Sequence, residues 1–170
     1  EFNISYNQNK IKELTDQLKN GVSLGSGAGL NFKLVEGGSY GDIYGKVAER
    51  DENGAFMLDK DGKLVISTDE RHLGNVNPNW QLGWGNTFTY KDFTLSASLD
   101  IRSGGYMFSR TKNLMQFTGN GVVTTYNDRR PFIIPNSVVD NGDGNYTENT
   151  TPIYLGNGSY QTYFNDYGYG

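Results

Sequence analysis

The stretch that decides the fold is Trp80 to Arg102, WQLGWGNTFTYKDFTLSASLDIR. Every second residue from Trp80 is apolar but one: Trp80, Leu82, Trp84, Asn86, Phe88, Tyr90. The residues between them, Gln81, Gly83, Gly85, Thr87, Thr89 and Lys91, are polar or glycine. Beyond Lys91-Asp92 the pattern resumes. Phe93, Leu95, Ala97, Leu99 and Ile101 take one side, and Thr94, Ser96, Ser98, Asp100 and Arg102 the other. Side chains alternate across a strand, so the stretch predicts a hairpin with one apolar and one polar face, turning at Lys91-Asp92. Ordinary strands run about 5–6 residues, whereas a membrane-crossing strand needs about 9–11. Ten steps from Trp80 to Tyr90 at about 3.3 Å, tilted near 40°, rise about 25 Å, the height of an outer-membrane barrel's apolar band. The aromatic residues would then mark both rims. A long hairpin of a soluble β-sandwich alternates in the same way.

Outward from the hairpin, composition agrees with strands. The chain has 170 residues, among them 23 Gly, 12 Tyr, 9 Phe and 2 Trp. Glycine, aromatics, Asn and Thr favour turns and strands over helices. The net charge is −4 and no basic block stands out, which argues against a nucleic-acid partner. Mean hydropathy is −0.62, so a transmembrane helix is not expected, while a half-apolar barrel strand remains compatible. Cysteine is absent, so disulfides play no part. The chain opens at Glu1 without a signal peptide and ends in YFNDYGYG, which reads as a loop cut short.

Upstream, Phe2, Ile4 and Tyr6 alternate with polar residues and predict an opening strand. Ile11, Leu14 and Leu18 fall at helical spacing, with Asn9 as the expected cap and Gly21 as the stop. Leu24, Ala28, Leu30, Phe32 and Leu34 predict a second long strand, with Gly25, Gly27, Gly29, Asn31 and Lys33 on its other face. Ile43, Gly45 and Val47 alternate next. Turns are expected at Asp51–Gly54 and Asp59–Gly62, and a short strand at Leu64–Ile66. GNVNPN, Gly74 to Asn79, should break the chain before the hairpin. After Gly104-Gly105 the pattern dissolves, with a helical turn or two in YMFSRTKNLMQF and an extended run around Pro131 and Pro135. A connection as long as residues 104–170 is unusual in a compact soluble domain. The resulting scheme runs Phe2–Tyr6 down, Leu24–Leu34 up, Trp80–Tyr90 down and Phe93–Arg102 up, with short turns on one side and long loops (41–79 and 104–170) on the other.

YGDIYG, an Asp-Gly turn and GNVNPNWQLGWGNTFTYKDFTLSASLDIRSGG together resemble the C-terminal barrel region of SusC/RagA-type TonB-dependent outer-membrane transporters. The matching positions are Gly74, Asn75, Pro78, Tyr90, Lys91, Phe93, Gly104 and Gly105. IPNSVV (Ile134 to Val139) and ENTTPI (Glu148 to Ile153) are similar to a later recurring loop, and NQNKIKEL to an earlier turn. The sequence departs from the family in keeping only Asp59-Lys60-Asp61-Gly62 where members often carry a fuller Asp-x-Asn-Gly-Asp-Gly run. The resemblance implies an all-β fold, a partial transmembrane antiparallel β-barrel belonging to a barrel of roughly 22 strands with long extracellular loops. Residues 1–170 would supply about four or five strands, which cannot close a barrel alone, so a larger chain with a plug domain outside this segment is expected. It further implies energy-coupled import of an oligosaccharide or peptide across the bacterial outer membrane. The implied partners are a SusD-like surface lipoprotein, the TonB–ExbB–ExbD complex and outer-membrane lipid, in a dimer of transporter–lipoprotein pairs. The alternative function is a soluble secreted β-sandwich that binds carbohydrate.

No catalytic, cofactor-binding or metal-ligating residue is nominated, no cofactor is expected, and the substrate contacts stay unassigned. His72, the single histidine, has no nucleophile placed beside it and reads as a loop residue. GDIYGK (Gly41 to Lys46) falls one residue short of a phosphate loop, with Val47 where Ser or Thr is needed. GSGAG lacks the third glycine of a dinucleotide site, Leu30 standing there. Asp140–Glu148, DNGDGNYTE, carries oxygen ligands as calcium loops do, but its spacing misses the EF-hand and its Asn-Gly and Asp-Gly pairs favour turns. Sequons occur at Asn3, Asn145, Asn149 and Asn157. Tyr154, Tyr160, Tyr163, Phe164, Tyr167 and Tyr169 offer aromatic faces for a sugar, a peptide or a protein surface.

Overall fold

The computed structural model describes residues 1–153, except Ala28 and Asp143. The aromatic residues from Tyr154 onward and the sequon at Asn157 lie outside the described residues, as does part of the Asp140–Glu148 run. The described chain is built of strands with short helices. It divides into two compact units, Glu1–Gly45 with His72–Met107, and Lys46–Arg71 with the described part of Phe108–Gly170. No helix among the described residues is long and apolar enough to cross a membrane, which says nothing of a β-barrel. The all-β expectation holds, and no closed barrel is formed by the described strands.

In the first unit, β1 (Phe2–Tyr6), β7 (Pro78–Tyr90) and β8 (Phe93–Gly104) make one sheet in the order β1-β7-β8. β7 and β8 pair antiparallel from Tyr90↔Phe93 outward to Pro78↔Gly104, so the turn is Lys91-Asp92 as the sequence predicts. Lys91 takes φ 52, in the left-handed region that a two-residue hairpin turn demands. β1 lies antiparallel against β7, with Phe2 opposite Trp84, Ile4 opposite Leu82 and Tyr6 opposite Trp80. This corrects the expected scheme. Phe2–Tyr6 and Trp80–Tyr90 run in opposite directions, and the whole stretch from Asn7 to Asn77 is one excursion leaving and rejoining the same end of the sheet. The Asn7 N–H donates to the Asn79 carbonyl at 3.1 Å where the two ends meet.

That excursion holds the second sheet of the unit, in the order β2-β3-β4-β6, where β2 is Val22–Gly27, β3 Leu30–Leu34, β4 Asp42–Gly45 and β6 Arg71–Asn75. The expected single strand Leu24–Leu34 is therefore a hairpin. Gly29 takes φ 81 and reverses the chain, and Gly27 pairs with Leu30. A bulge at Leu24 shifts the register, so Gly25 sits opposite Phe32 and shares its face. The expected helix is also smaller than its spacing suggests. Only Asp16–Leu18 forms a 3-10 turn, preceded by Thr15 without a side-chain cap, while the Gly21 N–H bonds the Leu18 carbonyl as expected. Two backbone bonds, Ile11 N–H to Gly38 O and Gly37 N–H to Ile11 O, hold the preceding residues extended. A segment this short cannot repay helix nucleation once its amides have such partners.

The second unit joins two stretches far apart in sequence. β5 (Phe56–Leu58) pairs parallel with β9 (Ser137–Asp140), which pairs antiparallel with β10 (Tyr146–Glu148). Its core is Leu58, Leu64, Phe132 and Ile134, flanked by Ala48, Phe56, Val139 and Ile153. Both predicted turns are present and alike. The Asp51 carboxylate accepts from the Asn53 and Ala55 N–H groups, that of Asp59 accepts from Asp61 and Lys63, and Gly54 and Gly62 take φ 81 and 76. α1 (Arg110–Phe117) is capped by the Ser109 hydroxyl, which accepts from the Lys112 N–H at 3.2 Å. The stretch that reads as patternless after Gly105 thus carries two turns of helix, a hairpin and a share of a core. Its signal is weak because each element is short and its apolar residues are spread between two distant stretches.

Candidate membrane and solute interface

The register of the β1-β7-β8 sheet sorts its side chains into two surfaces. On one face the cross-strand pairs are Tyr90/Phe93, Phe88/Leu95, Asn86/Ala97, Trp84/Leu99 and Leu82/Ile101, extended by Phe2, Ile4 and Tyr6 of β1. Tyr6 and Trp80 close one end with ring centroids 4.6 Å apart. Tyr90 and Phe93 close the other, where the Lys91 ammonium lies 5.4 Å from the Tyr90 ring centre. Eleven large apolar side chains of this face are exposed, including Phe93 at 80% and Leu95 at 67%. At roughly 100 Å² each the patch is on the order of 1,000 Å², against about 300–600 Å² for the largest patch on a typical monomer.

The opposite face carries Thr89/Thr94, Thr87/Ser96, Gly85/Ser98, Gly83/Asp100 and Gln81/Arg102, with Asn3 and Ser5 beyond. Thr87 and Ser96 hydroxyls are 3.1 Å apart, those of Thr89 and Thr94 3.4 Å. Asp100 and Arg102 pair loosely at 3.9 Å, both well exposed.

Where β6 hands over to β7, a buried polar cluster fixes the chain. Asp42, 6% exposed, accepts from the Ser39 N–H at 2.7 Å and the Asn75 amide at 2.8 Å, and His72 Nε2 lies 3.2 Å from Oδ1. Burial opposes the charge of Asp42. The bonds from Ser39, Asn75 and His72, with the attraction of His72, outweigh it and hold the carboxyl below its ordinary range. Burial, then the Asp42 charge, push the Tyr44 phenol up; its ring meets His72 edge-on at 5.5 Å. Asn9, expected to cap a helix, instead accepts from the Ser39 hydroxyl and the Tyr40 N–H, each at 2.7 Å. His72 therefore belongs to a structural cluster rather than to a free loop. Gly74 is forced by packing, since a Cβ there would lie 2.7 Å from two Tyr106 ring carbons at φ 153. Of this cluster, the resemblance marks Gly74 and Asn75 and, within YGDIYG, Asp42 and Tyr44, without giving any of them a partner. Apart from the Ser39 N–H, three residues from Asp42, the partners of Asp42 and of Asn9 lie 30 or more residues away and leave no local signal.

The other nominated residues fall on structural tasks. Gly41–Lys46 is mostly β4 and opens no helix. GSGAG closes the β2–β3 hairpin. Asp140 spends a carboxylate oxygen on the Gly142 N–H at 2.7 Å, and among the described residues no three metal-binding side chains gather. Of the sequons, Asn3 is on β1, Asn145 in the β9–β10 turn, and Asn149 is buried with its amide on the Ser137 hydroxyl at 2.9 Å. That bond, with Asn149 N–H to Ser137 O at 3.0 Å, joins IPNSVV to ENTTPI in one local structure. Unforeseen by sequence is Gln116, 1% exposed with its carbonyl unpaired, beside a cleft of about 350 Å³ lined by Met115, Val122 and Val123.

No protein-family model matches the chain. In an alignment of 132 residues it is 27% identical to TonB-dependent receptor P3 of Formosa agariphila, with 65% of this chain matched. The chain resembles a piece of a TonB-dependent receptor. It spans about 13% of that relative's length. The likeness is distant, and it agrees with a sheet whose two faces need different surroundings.

Proposed function

We propose that the chain is a segment of barrel wall and external loops of a SusC/RagA-type TonB-dependent transporter in a bacterial outer membrane. The observation that carries this is the apolar face of β1-β7-β8, exposed along its whole length and bounded by Tyr6/Trp80 and Tyr90/Phe93. Lipid surroundings remove its cost, and at the tilt of such barrels, near 40°, the two aromatic rims fall about 25 Å apart. Among the described residues no strand pairs with the outer edges of β1 and β8, and such edges call for neighbouring strands, which a barrel of roughly 22 strands supplies. The transporter imports an oligosaccharide or a peptide, with TonB–ExbB–ExbD supplying energy and a SusD-like lipoprotein covering the outer mouth, in a dimer of such pairs. The segment itself makes and breaks no bonds.

The alternative, a secreted β-sandwich that binds carbohydrate, needs a second sheet over Trp84, Phe88 and Leu95, and their exposure weighs against it. The test is to express residues 1–170 in the cytosol without detergent and run size exclusion and a thermal melt. Aggregation is expected, with order restored in the complete receptor in detergent. A soluble monomer with one cooperative transition refutes the wall reading. Co-purification of a surface lipoprotein with the complete receptor tests the partner.

A further inference from the structure

Gly83 and Gly85 lie in the middle of a 13-residue strand and face the polar side. Neither needs to be glycine for this chain's own sake. Their backbones are extended, a Cβ at Gly85 would meet nothing within 4 Å, and one at Gly83 would only brush Asn3 at 3.9 Å. Glycine inside a strand weakens it, and where the fold does not require it the residue marks a close approach of something else. Around this bare floor stand four planar polar side chains: Asn3 and Gln81 on one side, Asp100 and Arg102 on β8 directly across. Asp100 and Arg102 are 3.9 Å apart and both exposed, so each keeps most of its hydrogen-bonding capacity for a ligand. Toward Lys91-Asp92 the floor continues as a groove of about 490 Å³ whose lining includes Glu1, Gly85, Thr87, Ser96 and Ser98.

We propose that Gly83 and Gly85, with Asn3, Gln81, Asp100 and Arg102, form a subsite for an uncharged, hydroxyl-rich chain, an oligosaccharide, on the inner face of the wall. Asp100 and Arg102 cancel in charge, Glu1 adds a carboxylate that already accepts from the Asn3 amide at 3.2 Å, and the rest of the floor is hydroxyl, amide or bare backbone. An anionic substrate gains nothing there. A vicinal diol finds an acceptor pair in Asp100 and donors in Arg102, Asn3 and Gln81. The glycines let a sugar ring lie against the strand. The subsite rests on the wall reading above, which turns this face inward.

The experiment uses the complete receptor in its outer membrane with single cysteines at Ser98→Cys or Leu99→Cys, neighbours on opposite faces. A charged, membrane-impermeant maleimide should label Ser98→Cys at least ten-fold faster than Leu99→Cys. Equal rates, or no labelling at either position, overturn the wall reading and the subsite with it. With that contrast in place, maltohexaose, cellohexaose and xylohexaose serve as probes, and hexaglycine as the peptide control. At least one sugar should slow labelling of Ser98→Cys three-fold or more, and the added pair Asp100→Ala and Arg102→Ala should abolish the protection. Absence of protection by every sugar, protection that survives the double substitution, or equal protection by hexaglycine overturns the subsite while leaving the wall reading intact.

Discussion

Leu99→Arg separates the surroundings of the two sheet faces. Leu99 pairs with Trp84, four residues from Trp80 and six from Tyr90, and so lies near the middle of the apolar band. An arginine facing lipid at that depth costs about 2–4 kcal/mol, falling to about 0–1 near a rim. Ser98→Arg sits at nearly the same depth on the opposite face and should cost less than about 0.5 kcal/mol, as exposed substitutions do. Tyr90→Arg, at the rim, should cost no more than about 1 kcal/mol. The assay is reversible urea unfolding of the complete receptor in lipid vesicles, read by tryptophan fluorescence, with the midpoint and slope compared across the three variants. The expected order is Leu99→Arg far above Tyr90→Arg and Ser98→Arg. Were the apolar face in water, half-exposed Leu99 would accept arginine at almost no cost. Were it under a second sheet, Tyr90 and Leu99 would suffer alike. Either result refutes the reasoning.

Asn86 is the one polar residue of the apolar face, so Asn86→Leu should stabilise the receptor in vesicles by about 1–3 kcal/mol, measured in the same titration. Asp42→Ala strands the Ser39 N–H, the Asn75 amide and His72, and should cost about 1–3 kcal/mol. Because the folded carboxyl is held below its unfolded value of 3.8, its contribution is fully present above that value and is lost as pH falls through the folded pKa. Stability of the Asp42→Asn variant measured against pH should therefore fall less steeply in acid than that of the wild type. Lys91→Gly relieves a left-handed φ worth about 1 kcal/mol and forfeits a cation–ring contact worth about 0.5, so a small net gain in unfolding midpoint is expected. Gly74→Ala drives a methyl group into the Tyr106 ring and should lower the yield of folded receptor in the membrane fraction, whereas Gly25→Ala, with open space around it and no left-handed φ, should lower it much less.

The hairpin was legible because its alternation persists for two full strands and because a two-residue turn preserves the pattern on either side. The Asp51 and Asp59 turns were legible because their hydrogen bonds are local. The β2–β3 hairpin was not. In GSGAG the glycines carry no side chains, so nothing in the alternation marks where the chain reverses. Asn9 misled because Asn caps a helix and bridges two loops with the same atom, and only the distant Ser39 and Tyr40 decide between them. The small core around Leu58 and Ile134 leaves no local pattern, since no window of sequence contains both halves of it. At the interface the two faces were visible in sequence, but the subsite needed the register that puts Asp100 across from Gly83.

The parallel ladder between β5 and β9 has a consequence for the order of assembly. The Met57 N–H finds the Glu49 carbonyl close by, but the Phe56 N–H, which donates to the Asn136 carbonyl at 2.8 Å, and the pairing with Ser137–Val139 must wait for a segment about eighty residues later. Contacts so distant in sequence are slow to close. The β7–β8 hairpin, whose arms are adjacent in the chain, can form well before them. Because Pro78 and Gly104 are paired at its open end, that hairpin brings both flanking segments to one place and shortens the search for the later ladder. The unit that holds the β5–β9 ladder would then be kinetically downstream of the hairpin. A mutation that delays the hairpin should leave Phe56 and Leu58 exposed to proteases during biogenesis, even though neither residue touches it in sequence.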